Sequence, residues 1–192
     1  MKKMFLPLLL ILGLVLIGCN VSIQKDNDPD KKEKSVKLHA GPKEEKKELK
    51  LQVLKMDADK GITLENSSFY KEMAKILKQH PDAGTANDFS IFSIGNVNEG
   101  QQNAAFVFLG INRTNKPLKN IQFNLTLKGK DGTTIWEDTP VNLTEEQVGD
   151  IQPNAAVPVL LKLNSDQEER IKKLNKNNTV IDMKDFKYEV AK

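Results

Sequence analysis

The feature that most constrains the fold is a period. From Asp88 onward the pattern turns strongly β, most plainly where Ile121, Phe123, Leu125 and Leu127 alternate with Gln122, Asn124, Thr126 and Lys128. A period of two sends alternate side chains to opposite faces of a pleated strand, a pattern that one face of a helix cannot satisfy. The stretch KGKDG then reads as a hairpin turn, because Asp131-Gly132 suits a backbone that needs positive φ. Thr133 to Glu137 returns along it and carries Trp136. Phe89 to Ile94 and Ala104 to Ile111 read as two strands flanking NVNEGQQN. Ala156 to Leu163 follows the Pro153-Asn154 turn, and Asp185 to Val190 closes the chain as a short strand. Leu49 to Leu54 alternates as well and opens the folded region as a first strand.

Two segments break this period. After Asn66-Ser67-Ser68, the residues Phe69, Met73, Ile76 and Leu77 fall on one face of a helix that Pro81 stops. Ser165 and Glu168 stand in capping-box spacing ahead of Ile171 and Leu174, which predicts a second helix. Many short strands, two modest helices and one core predict a mainly β chain, a β-sandwich with one or two short helices.

The first 48 residues have a different character. Lys2 and Lys3 precede an apolar run from Phe5 to Ile17, interrupted only by Pro7 and Gly13. A basic start, a short apolar stretch and a small residue before a cut describe a secretory signal, too short for a comfortable bilayer span. Leu16-Ile17-Gly18-Cys19 ends this run and contains the chain's one cysteine. It resembles the lipobox of bacterial lipoproteins. The resemblance implies that the Cys19 thiol receives a diacylglyceryl group, that cleavage falls between Gly18 and Cys19, and that acyl groups such as palmitate complete the anchor. The chemistry suits these residues. A thiol is a strong nucleophile, small Gly18 leaves room beside the scissile bond, and two acyl chains hold a protein in a membrane where one does so only marginally.

Residues 19–48 are rich in lysine and acid and poor in large apolar groups, so they cannot bury enough surface to offset ordering entropy. They read as a charged flexible linker with a coil reach on the order of 30 Å and a contour on the order of 95 Å. The expected organisation is a signal peptide at 1–18, a lipid-anchored linker at 19–48 and an extracytoplasmic β-sandwich-like domain at 49–192. The formal charge of +3 falls to +1 once Lys2 and Lys3 are removed. Arg113 and Arg170 are the two arginines, and no basic stripe interleaves with aromatics, which argues against nucleic acid as a partner.

The run AFVFLGINRTNKPLKNIQFNLTLKGKDGTTIWED carries a second resemblance. A strand leading into N-x-T-N-K, then an alternating strand, then a K-D-G hairpin, is similar to two domain families of secreted Gram-positive proteins. These are the FxLYD-type immunoglobulin-like domains and the SLAP domain of bacilli, whose name links it to S-layer assembly. VGDIQPNAAVPVLLKL fits the closing strand of the latter loosely, with Val159 where an aromatic is expected. The resemblance implies an immunoglobulin-like sandwich acting in the cell envelope, and it carries no binding residues to this chain.

Residues that could carry chemistry are few. His39 lies in the linker and His80 at a helix end, where a partial positive charge is favourable. Asp57, Asp59 and Gly61 suggest a calcium loop, but Ile62 and Ser68 stand where that loop needs glycine and a bidentate glutamate. Asn66, Asn112, Asn124, Asn142 and Asn177 sit in N-x-S/T triplets and read as ordinary loop and strand residues. No catalytic residue, metal ligand or cofactor is assigned. Trp136 is the one indole; it reads either as core or, if exposed, as a candidate partner contact. The expected function is a membrane-anchored, non-catalytic interaction module with a protein or envelope-polymer partner, and the alternative is a small envelope hydrolase or metal-dependent enzyme.

Overall fold

The computed structural model describes residues 47–97, 104–175 and 177–192. Gly18, Cys19 and the linker to residue 46 lie outside the described residues. Among the described residues seven strands and four helices follow one another: β1 (Lys50–Leu51), α1 (Lys55–Ala58), α2 (Ser68–Gln79), β2 (Phe89–Val97), β3 (Ala105–Asn112), β4 (Leu118–Gly129), β5 (Thr134–Leu143), α3 (Glu145–Val148), β6 (Ala155–Lys162), α4 (Ser165–Ile171) and β7 (Thr179–Val190). The strands form two sheets, one in the order β1-β6-β3-β2 and the other β5-β4-β7. Chain crossings from β3 to β4, β5 to β6 and β6 to β7 place β2, β3 and β6 against β5, β4 and β7. This is the A-B-E over C′-C-F connectivity of an immunoglobulin-like sandwich. All pairings are antiparallel except the two-residue contact of β1 with β6.

Strand β3 organises three layers, and all eight of its residues are buried. Phe106 and Phe108 point between the sheets, towards Trp136, Phe123 and Leu127, while Val107, Leu109 and Ile111 point the other way. That second face is covered by α2 through Tyr70, Met73 and Leu77. Each such side chain contributes roughly 1.5–3 kcal/mol when fully buried. Helix α2 starts where the Ser67 hydroxyl accepts the Tyr70 N–H and stops at His80, whose N–H reaches Leu77 O. Gly110 leaves room between the sheets, since a Cβ there would stand 3.0 Å from the Phe89 ring. Pro158 sits within β6, and its missing N–H costs nothing. Leu163 N–H bonds Ala104 on the β3 side, and Ala156 C=O bonds Gln52 on the β1 side, so by alternation the Pro158 nitrogen faces the open edge beyond β1.

Several boundaries differ from the sequence-based expectation. The first strand is two residues long, because the chain leaves the sheet at Gln52, whose side chain bridges to the Asp150 carbonyl and the Gln152 N–H. Strand β5 runs on to Leu143 through Asp138 at φ 48° and Pro140. The closing strand begins at Thr179, six residues earlier than expected. The cap of α4 is Asn164 with Gln167 instead of Ser165 with Glu168: the Asn164 side chain accepts the Gln167 N–H, and Gln167 returns the bond to the Asn164 N–H. Single-turn helices α1 and α3 add to the two helices expected.

Candidate functional site

The strands all run between two ends, which separates the molecule's loops into two groups. The chain enters at one end, at Lys47–Leu49, beside Pro81–Asp88, Arg113–Pro117 and Thr144–Asn154. The opposite end carries the Lys130–Thr133 hairpin and the segment from Leu163 to Asn178 around α4.

The entry end is built around the N-x-T-N-K segment that carries the family resemblance. Asn112 is fully buried at the last position of β3. Its amide donates to Lys116 O and Ile151 O, both at 2.8 Å, and to Gln152 O at 3.3 Å. Its carbonyl accepts the Thr114 N–H at 2.9 Å and the Thr114 hydroxyl at 2.7 Å. One asparagine thus ties the β3–β4 turn to the segment that leads into β6. Arg113 follows and is also buried. Its guanidinium donates to three backbone carbonyls: Nε to Ala83 at 3.0 Å, and the two terminal nitrogens to Lys47 and Pro81 at 2.6 Å each. Burial pulls its pKa below the ordinary arginine value, and the nearby charge of Asp82 opposes that shift. Such a planar fork suits several fixed acceptors at once, which a lysine ammonium does not match. Arg113 therefore clamps the backbone at Lys47, just before β1, to the Pro81–Ala83 turn. In the sequence it stood out only as one of two arginines; the overlooked signal is an Asn-Arg pair that ends the apolar run Ala104–Ile111.

The acids of MDADKG are also used internally. Tyr70 donates from its hydroxyl to Asp57 Oδ2 at 2.7 Å and accepts the Leu54 N–H at 3.1 Å. Burial, then the hydrogen bond to Asp57, drives the Tyr70 pKa well above its usual value. Asp59 pairs with Lys55 one turn before it. Gly61, at φ 79°, closes the turn, and Asn66 bonds Gly61 O and the Thr63 N–H. Among the described residues no three of His, Cys, Asp and Glu stand together as a metal-binding group. His80 caps α2, with its ring 5.0 Å from that of Phe92.

Trp136 lies between the sheets at 7% exposure, with its indole 6.3 Å from each of Phe106 and Phe108. Its position corrects the partner-contact reading. The alternation of β5 at Ile135-Trp136, two adjacent buried residues, is broken by a register shift opposite Leu127, and this turns the indole inward. The asparagine triplets separate as well: Asn112 is inaccessible, Asn124 bonds Asp185 Oδ2 at 3.1 Å, and Asn142 is exposed.

Comparison of the chain with protein-family models, with curated proteins and with solved structures finds no match in any of the three. The functional reading therefore rests on the residues of this chain. No helix among the described residues is long and apolar enough to cross a membrane.

Proposed function

We propose that this chain is a lipoprotein of the extracytoplasmic membrane face, anchored through diacylglyceryl and acyl groups on Cys19. In this reading it presents a non-catalytic, immunoglobulin-like interaction module on a charged linker. The observation that carries the proposal is Leu16-Ile17-Gly18-Cys19 behind a lysine-led apolar run, in a chain whose sandwich begins only at Lys50. Two features of the fold support it. Arg113 fixes the backbone where the linker arrives, as a module held by its leash requires. The buried polar side chains Asn112 and Arg113 are used on backbone groups, which suits a scaffold. The partner is a protein or polymer of the cell envelope, and the SLAP-like pattern makes surface-layer assembly the first process to examine.

The test is Cys19→Ala followed by fractionation of cells. The anchored reading expects the protein to move from the membrane fraction to the soluble or secreted fraction. Retention of the variant in membranes at the wild-type level would refute it. Crosslinking in intact cells, followed by identification of the captured molecules, then examines the envelope-partner reading, and unchanged surface-layer assembly in a deletion strain would remove the assembly role.

A further inference from the structure

Strand β7 is paired on one side only. It runs along β4, and among the described residues no strand pairs with its other side. Most of this edge is guarded. Asp185 has φ 52° and breaks the register, since Lys184 faces Asn124 and Lys187 faces Gln122, which sets two residues of β7, Asp185 and Phe186, against one of β4, Phe123. A bulge of this kind twists an edge and stops pairing from passing through it. Beyond the bulge the register slips once more, this time on β4, where Asn120 has φ 48° and Lys119 to Gln122 takes three steps against two from Glu189 to Lys187; residues 186–190 of β7 themselves have no positive φ. The Ala191 N–H bonds Pro117 O on the β4 side, so by alternation the N–H and C=O groups of Phe186, Tyr188 and Val190 face outward.

The side chains of this short edge have an unusual arrangement. Tyr188 and Val190, two of the four exposed large hydrophobic residues among the described residues, lie on one face at 49% and 44% exposure. Tyr188 extends an aromatic row from the core: Phe123 lies 6.4 Å from Phe89, Phe89 stacks on Phe186 at 5.3 Å, and Phe186 meets Tyr188 at 5.4 Å. Lys187 and Glu189 occupy the other face. Laid antiparallel on a copy of itself and centred on Tyr188, the segment opposes Lys187 to Glu189 twice. Phe186 then opposes Val190 twice, and Tyr188 opposes Tyr188 with outward backbone groups facing each other. Every paired position lies on a common face, as antiparallel pairing requires.

We infer that residues 186–190 of β7 form a self-complementary edge that pairs with the same edge of a second copy of this chain. The pairing is isologous, with a two-fold axis at Tyr188, and joins the two three-stranded sheets into one of six. The contact is small, so its dissociation constant is on the order of 10⁻⁴ M. Because β7 ends at the entry end, the overlap brings the two linker junctions together and points the hairpin ends apart. The inference does not depend on the lipid anchor.

The experiment uses the full chain in mild detergent with Cys19→Ala, so that an introduced thiol is the only one. Tyr188→Cys is treated with a short thiol–thiol crosslinker, beside Gln122→Cys in mid-sheet and Leu160→Cys on the free edge of β6. Tyr188→Cys is expected to give dimer several-fold above both controls. Sedimentation of the chain with tyrosine retained is expected to show concentration-dependent dimer. Lys187→Glu and Glu189→Lys alone should each weaken that dimer by about tenfold, and the double exchange should restore it. Equal crosslinking at all three positions, or a monomer at every concentration up to the millimolar range, would overturn the inference. So would a double exchange as weak as the single ones, which would place the contact elsewhere.

Discussion

Asn112→Ala is the perturbation that examines the entry-end architecture most sharply. The substitution removes an amide that holds Lys116 O, Ile151 O and Gln152 O, and a carbonyl that holds the N–H and hydroxyl of Thr114. The cost is not five full penalties. Ile151 O keeps the Leu118 N–H, and Lys116 O keeps the Thr114 hydroxyl, so these acceptors lose one of two partners. The Thr114 N–H loses its acceptor at a part-buried site. At about 1 kcal/mol for each of the bonds to Ile151 O and Lys116 O, and somewhat more for an orphaned N–H, with little from the 3.3 Å contact to Gln152 O, which keeps the Ala155 N–H, the total comes to about 3 kcal/mol. For a domain of this size that corresponds to roughly 10 °C in Tm. Denaturant unfolding followed by Trp136 fluorescence is the assay, since the one indole is buried between the sheets. Asn142→Ala is the matched control: it occupies the same kind of N-x-T triplet but is exposed, and it should stay within about 0.5 kcal/mol of wild type. If the two variants lost the same stability, the argument that buried Asn112 organises this end of the sandwich would be wrong.

Three further outcomes follow from the same geometry. Arg113→Lys should destabilise by about 2–3 kcal/mol, because one ammonium cannot span three carbonyls; amide exchange should rise first near Lys47 and Pro81–Ala83, and uniform exchange across the domain would contradict the clamp. Tyr70→Phe should cost about 1–2 kcal/mol through the lost bonds to Asp57 and the Leu54 N–H. The folded-state pKa of Tyr70 is raised, so its contribution is present below about pH 10, the unfolded tyrosine value, and is lost as the pH climbs above it. Comparative melts at pH 8 and pH 11 should therefore show wild type losing its advantage over Tyr70→Phe, and a constant gap would refute the linkage. Gly84→Ala should destabilise measurably in thermal melts, since φ is 86° there and a Cβ would meet Ile111 at 2.8 Å; a neutral effect would show that the loop yields.

How legible the fold was depends on whether period and chemistry agreed locally. Strand β4 was plain because Ile121 to Leu127 alternates without interruption, and α2 was plain because Phe69, Met73 and Leu77 are bracketed by Ser67 and Pro81. Strand β7 was seen only from Asp185 because its bulge there reverses the phase: Ile181 and Met183 face inward before it, and Phe186 and Tyr188 keep that face after it. A single period-two template fits neither half of the whole run. The extent of β5 was hidden by Asp138 and Pro140, which read as turn residues yet lie within a strand. Asn112 and Arg113 were invisible as a structural pair because hydrogen bonds to distant carbonyls leave no local pattern. The sequence showed NRTNK as a motif; its role as a packing device needed Lys47, Pro81 and Ile151 brought alongside. Trp136 was ambiguous for a related reason, since the register shift that turns it inward depends on its partner strand.

The proposed lipid anchor is tested most directly by the chemical state of the mature N-terminus in cells. Mass spectrometry of the purified native protein should find a chain that starts at Cys19, with its sulfur carrying diacylglycerol and residues 1–18 gone. A free thiol at Cys19, or a first residue at any other position, would contradict it.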